Sequence, residues 1–223
     1  MIAALAVSSC LTIASAAYQV KPDMVEAVLS APMRTGGVGP MHIPQSWLPI
    51  LARIGFAPVK VEHDRCTNIE AGTWILAYEQ LNVRHSYAAP LAPKSVSSLF
   101  NKACAEEAAQ AYHIPVSLFF AVLRTEGGHV GQIHMNRNGS YDMGPAQINS
   151  IWLPVLAKSG ITREMVLNNG CLNISIGAWI LGQSMDGVSS RNPGIFWQHV
   201  GDYNSHTPEL NHEYEMKVWN NLR

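Results

Sequence analysis

The chain repeats itself, and this limits its folds more than any other feature. Residues 38–55 read VGPMHIPQSWLPILARIG, and residues 143–160 read MGPAQINSIWLPVLAKSG. The step from Trp47 to Trp152, 105 residues, also carries Cys66-Thr-Asn68-Ile69 onto Cys171-Leu-Asn173-Ile174 and Gly72-Thr-Trp74-Ile-Leu76 onto Gly177-Ala-Trp179-Ile-Leu181. Upstream the step is shorter. From Cys10 to Cys104 it is 94 residues, and it matches Tyr18 with Tyr112 and Ala27-Val-Leu29 with Ala121-Val-Leu123. The first repeat therefore lacks one loop, between Leu29 and Gly39, which the second fills with HVGQIHMNRNGSYD, residues 129–142. A chain built this way should form the same supersecondary unit twice.

The expected organisation is a first repeat over residues 1–85, a linker over 86–100 and a second repeat over 101–223. Residues 86–98, SYAAPLAPKSVSS, are rich in Pro, Ala and Ser and lack apolar periodicity. The N-terminus has two readings. Residues 1–20 carry no charge and contain Ala-Ser-Ala-Ala, like a signal-peptide cleavage site, and Val7-Ser8-Ser9-Cys10 loosely mimics a lipoprotein processing site. No Lys or Arg precedes the apolar run, however, and the match of Cys10 to Cys104 makes this stretch the first helix of a folded repeat. The folded reading is preferred. The stretch is too rich in Ala and Ser for a membrane span, and no other segment suits one.

Composition excludes several function classes. With a net charge of −1 over 223 residues and no basic cluster, a nucleic-acid partner is not expected. The four cysteines form no C-x-x-C pair, so zinc-ribbon and thioredoxin readings are weak, and two disulfides in an oxidising compartment fit better. The nine histidines show no H-E-x-x-H spacing, so neither a metal nor another cofactor is expected.

The second repeat reads as mostly helical. A helix over 101–112 opens at Asn101, and another starts at Pro115 and stops at Gly127-Gly128 after Glu126. Helices are also expected over 151–158 and 172–184. Segment 129–142 reads as a loop or short hairpin with a tight turn at Asn138-Gly139. Glu126 shares a helix face with Phe119, Val122 and Leu123, seven, four and three residues earlier. An apolar face and a helix C-terminus both disfavour a carboxylate, so the Glu126 pKa should rise. A carboxylic acid still protonated near neutral pH can protonate a glycosidic oxygen. Ser140, Asp142, Gln147 and Asn149 follow, short polar groups able to hydrogen-bond sugar hydroxyls and N-acetyl groups. Tyr203 and Asn204 could converge on the same cleft.

Tyr112-x-Ile-Pro-x-x-Leu118, Glu126, G-S-Y-D-M-G-P-A-Q-I-N, then Cys171-x-Asn-Ile-x-x-Gly-Ala-Trp-Ile-Leu and Gly-x-Tyr203-Asn204 together resemble the SLT-type lytic transglycosylases. The likeness is greatest to the small members that accompany secretion, conjugation and pilus machines. It implies a mainly α, lysozyme-like fold with a small β part, here preceded by a shortened, degenerate copy. It also implies a periplasmic location and a peptidoglycan substrate, with non-hydrolytic cleavage of the MurNAc–GlcNAc bond leaving a 1,6-anhydro-MurNAc end. Envelope-machine components become candidate partners. Glu126 takes the catalytic position, Gln147 and Asn149 the glycan-facing positions, and Tyr203 and Asn204 those near the scissile bond. The expected disulfides are Cys10–Cys66 and Cys104–Cys171. The chain departs from the family pattern in two places: Gly127 replaces the usual Ser, and Pro145-Ala146 replaces Leu-Met.

Ordinary glycosidases use two carboxylates. Here a single Glu suffices if it first protonates the leaving oxygen and then deprotonates the sugar's own 6-hydroxyl. Asp142 is the nearby second carboxylate, for which loop hydrogen bonding is the preferred role. A lysozyme-type hydrolase and a non-catalytic peptidoglycan-binding protein are the alternatives. The first repeat serves as an internal control. It shares the cysteines, Trp47, Trp74 and Asn68, but Pro32 falls opposite Glu126 in one frame, and in another Arg34-Thr35-Gly36 skips the Glu. His42 replaces Gln147, and Pro44 replaces Asn149. The shared residues are therefore assigned to core and disulfides, and the first repeat is expected to be inactive.

Overall fold

The computed structural model describes residues 2–32, 36–83, 100–186 and 191–222. The expected linker lies outside the described residues except for Phe100, as do Arg34 and Thr35. The contacts form two units. The first takes the described residues up to 83 together with 191–199, and the second takes 100–186 together with 200–222. The sequence places 191–199 with the second repeat, whereas by contact these residues group with the first.

The first unit runs α1 (Ile2–Tyr18), α2 (Pro22–Ser30), β1 (Gly37–Val38), β2 (Ile43–Pro44), α3 (Leu48–Arg53), α4 (Pro58–His63) and α5 (Arg65–Val83). The second runs α6 (Lys102–Ala111), α7 (Val116–Glu126), β3 (Ile133–Met135), β4 (Tyr141–Met143), β5 (Ile148–Asn149), α8 (Leu153–Ala157), α9 (Arg163–Asn168) and α10 (Gly170–Ser184). Helix α11 (Pro193–Gly201) belongs to the first unit as far as His199, and α12 (Pro208–Leu222) to the second. The fold is mainly α with two small antiparallel sheets, as the family resemblance implies. Among the described residues, no helix is long and apolar enough to cross a membrane.

Local chemistry sets the helix ends. The Asn101 side chain accepts from the Cys104 N–H at 3.3 Å and starts α6. Helix α7 stops after Glu126 because Gly127 turns left-handed, φ 61°, and donates back to the Leu123 carbonyl at 3.1 Å. Segment 129–142 forms the hairpin β3–β4. Its turn spans Asn136 to Ser140 with Gly139 at φ 84°, longer than a two-residue turn.

Each unit is closed by one disulfide between helices that pack together, Cys10–Cys66 across α1 and α5 and Cys104–Cys171 across α6 and α10. Buried asparagines organise both sheets in the same way. Asn68 accepts from the Met41 N–H (2.8 Å) and donates to the carbonyls of Val38 (3.0 Å) and Val61 (2.8 Å). Asn173 accepts from the Ala146 N–H (2.8 Å) and donates to Met143 (2.8 Å) and Val166 (2.9 Å). Pairs Gly37↔Pro44 and Val38↔Ile43 recur, 105 residues on, as Asp142↔Asn149 and Met143↔Ile148. The second unit adds β3, the strand built from its extra loop. A buried polar side chain with three partners pins the loops it joins, and truncating it leaves buried backbone groups unpaired.

Candidate active site

Glu126 ends α7, whose Leu118, Phe119, Val122 and Leu123 are buried in the core. Its carboxyl group is held by α12, where the Tyr214 hydroxyl donates to Glu126 Oε1. Crowding by protein pushes the Glu126 pKa from 4.5 up to about 8. The negative charge of Asp142 adds to the rise, while the Tyr214 hydrogen bond and the positive charge of Lys217 oppose it. Below about pH 8 the group is thus a carboxylic acid.

Tyr214 is the functional residue that sequence reasoning missed. A signal was present: Tyr214, Val218 and Leu222 recur every four residues and are buried, as is Trp219. The Tyr214 ring stacks on that of Tyr203, with centroids 6.0 Å apart and planes at 18°. Tyr203 donates its hydroxyl to the Ala146 carbonyl at 2.7 Å. Burial, and after it the Glu126 charge, hold both phenols well above their ordinary pKa, so both remain hydrogen-bond donors. Asp142 also acts on Tyr203. Glu126, Asp142, Tyr203 and Tyr214 therefore form one electrostatic cluster.

The loop that follows α7 is shaped by a close approach. A Cβ at Gly128 would lie 2.1 Å from the Gly144 carbonyl oxygen and 2.4 Å from Gln147 Nε2, so only glycine fits. Gln147 takes a left-handed backbone, φ 46°, and its side-chain amide donates to Gly144 O at 2.7 Å. This brings the Gln147 side chain beside the chain leaving Glu126. Gly127, where the family usually carries Ser, has the backbone that glycine favours. Ala146, the other departure, sits against Gly177, where an added Cβ would come within 2.6 Å of it and 3.0 Å of the Tyr203 hydroxyl. In the first unit Met41 packs on the matching Gly72.

The sheet carries the remaining candidates. Asp142 accepts from Asn149 Nδ2 (2.7 Å) through one oxygen and from Asn136 Nδ2 (2.9 Å) through the other. Ser140 Oγ accepts from both asparagines at 3.2 Å and donates to Asn138 Oδ1 at 2.8 Å. Asn149 Oδ1 accepts from the Ile151 N–H at 3.0 Å, capping the short 3-10 turn before α8. Asn149 and Asn136 thus hold Asp142, and Ser140 bridges the two asparagines, whereas Asn204 is exposed beside Tyr203. In the first unit, α2 ends at Ser30, just short of the position matching Glu126, and Pro32 beyond it is exposed.

Comparison with known proteins places the chain in a family. Residues 103–213 match the family described as the transglycosylase SLT domain. Invasion protein IagB of Salmonella typhi is 33% identical over 125 residues, covering 54% of this chain and 75% of its own. Protein IpgF of Shigella flexneri is 31% identical over 115 residues, covering 51% of this chain and 72% of its own. A peptidoglycan-binding-like protein of Escherichia coli O157:H7 is 33% identical over 116 residues, covering 48% and 66%. These matches, together with an ordered set of site motifs built around Glu126, show that the chain belongs to the SLT-type lytic transglycosylase family.

Proposed function

We propose that the second unit is a peptidoglycan lytic transglycosylase that cleaves the β-1,4 bond between MurNAc and GlcNAc, with Glu126 as acid and then base. The observation that carries this reading is a half-buried glutamic acid whose pKa is raised to about 8, so that it stays protonated near neutral pH, while a phenol donates to one of its oxygens. Glu126 gives its proton to the glycosidic oxygen as the C–O bond breaks. The carboxylate it becomes is stabilised by the Tyr214 hydrogen bond and takes the proton from the 6-hydroxyl of the same MurNAc. That oxygen then closes on C1, giving a 1,6-anhydro-MurNAc end, with no water consumed and Glu126 again protonated. Gln147, Tyr203 and Asn204 line the sugar path, and Asp142 with Ser140 and Asn149 supports its floor.

Asp142 favours a second reading, lysozyme-type hydrolysis, because a second negative charge acts on the same cluster. Against it, both Asp142 oxygens are already engaged by asparagine amides. The first unit, with no acid at the matching helix end among its described residues, is proposed to be an inactive copy of the same fold. The name of the relative IagB, an invasion protein, supports a role in opening the wall locally for an envelope machine. The two disulfides suit the periplasm.

Purified sacculi test the site. Wild-type protein should release soluble muropeptides, and Glu126→Gln should bind sacculi and release none. Release that persists in Glu126→Gln overturns the assignment. Wild-type binding without release makes the protein a wall-binding component.

A further inference from the structure

The two units carry the same tryptophan pair in different surroundings. In the first, Trp47 and Trp74 meet edge to face at 6.3 Å; in the second, Trp152 and Trp179 do so at 5.3 Å, with interplanar angles of 71° and 74°. The first pair is covered. Helix α11 lays Trp197 on Trp47 at 6.0 Å and Phe196 on Trp74 at 5.7 Å, and Tyr78 stacks on Trp197 at 4.8 Å. Trp47 is accordingly 3% exposed, and Ile50 and Trp74 are 0% exposed. At the matched positions of the second unit, Trp152 and Trp179 are only half-buried and Val155 is 45% exposed. Next to them Ile151 is 68% exposed. Apolar identity is thus kept at three positions where burial is not, and a contiguous apolar patch of this kind marks a contact surface.

We infer that the Trp152–Val155–Trp179 face is a docking site for an α-helix of a partner protein that presents two adjacent aromatic side chains, as α11 does in the first unit. The fold itself shows what fits such a face, which is a helix bearing a Phe-Trp pair. A sugar fits it poorly, because the flanking Ile151 and Val155 have no hydrogen bonds to offer hydroxyl groups. The two faces also differ in charge. On the first, Arg191 of the α11 segment donates to Glu70 at 2.8 Å and to the Gly55 carbonyl at 2.9 Å, and its guanidinium lies 4.4 Å above the Phe56 ring. The residues matching Glu70 and Phe56 are Ser175 and Ile161, so the position that would meet an arginine carries no acid. Gln183 stands where Tyr78 stacks in the first unit and offers an amide instead. The partner helix needs its aromatic pair and no basic anchor.

The probe is a lactam-stapled helical peptide of residues 191–201, titrated into the full, isotope-labelled chain while the indole N–H signals of all six tryptophans are followed. The expected result is a saturable shift of the Trp152 and Trp179 signals with a Kd of about 0.1–1 mM. Replacing both Phe196 and Trp197 in the peptide by Ala, or Val155→Asp in the chain, should weaken it at least about tenfold. Replacing Arg191 in the peptide should leave it unchanged. Because Val155 is exposed, Val155→Asp should keep the wild-type melting temperature, which confirms that the chain is folded. No shift at a few millimolar peptide overturns the proposal, as does binding that ignores Val155→Asp. Shifts confined to Trp47, Trp74 and Trp197 would mean that the peptide only replaces α11 and would overturn it too. N-acetylglucosamine oligomers shifting Trp152 and Trp179 at lower concentration than the peptide would make the face a sugar platform instead.

Discussion

Glu126→Gln should make the protein more stable at alkaline pH while removing its activity. In the unfolded chain Glu126 titrates near 4.5, and in the folded chain near 8. Between these values unfolding releases a proton that the folded chain holds. Stability from this group is therefore fully present below about pH 4.5 and is lost as pH rises through about 8. The slope is about 1.4 kcal/mol per pH unit for one proton, so the roughly 3.5 pH units between these values bound the effect at about 5 kcal/mol. Glu126 keeps some solvent access, which reduces this to about 2–3 kcal/mol. The glutamine side chain of the variant has no proton to lose, and the tyrosine that donates to Glu126 can donate equally to the amide oxygen. The difference between variant and wild type should be near zero at about pH 4.5 and grow to roughly 5–10 °C in melting temperature by about pH 8.5. Thermal melts of both proteins across this range test it, and taking their difference cancels every other titrating group. A difference that stays flat with pH would refute the claim that Glu126 is a raised, proton-holding group.

Three further substitutions probe the same cluster. Tyr214→Phe removes the donor that favours the Glu126 carboxylate, so the alkaline limb of kcat/KM on sacculi should move to higher pH while the rate falls about tenfold; an unmoved limb would leave Tyr214 a packing residue. Asp142→Asn removes the negative charge that raises the Glu126 pKa, so the alkaline limb should move to lower pH with activity retained; complete loss of activity in a folded variant would favour the hydrolytic reading. Gly128→Ala drives a Cβ against the Gly144 carbonyl and should cost about 3 kcal/mol and most activity, as measured by denaturant unfolding and sacculus digestion; wild-type stability would mean that the two loops are not in close approach.

Local signals were the legible ones. Asn101 and Gly127 mark helix ends through bonds to residues three or four positions away, and such bonds can be read from neighbours in the chain. The elevated pKa of Glu126 was legible in its apolar helix face, since desolvation is its main cause. The matched cysteines anticipated both disulfides. What stayed hidden depends on partners far along the chain. Tyr214 reaches Glu126 across 88 residues, and its own segment marks a buried face without showing which residue that face meets. Ser140 and Asn149 could be seen to be polar, but not that their hydrogen bonds close on each other and on Asp142. Trp197 had no match in the repeat, and its burial against Trp47 arises because residues 191–199 pack with the first unit.

The product of the reaction tests the central claim most directly. Sacculi digested by the wild-type chain in heavy-oxygen water should yield muropeptides ending in 1,6-anhydro-MurNAc, each lighter by one water than a hydrolysis product and free of solvent oxygen. Reducing-end MurNAc carrying the heavy oxygen would contradict it and make Glu126 the acid of a hydrolase.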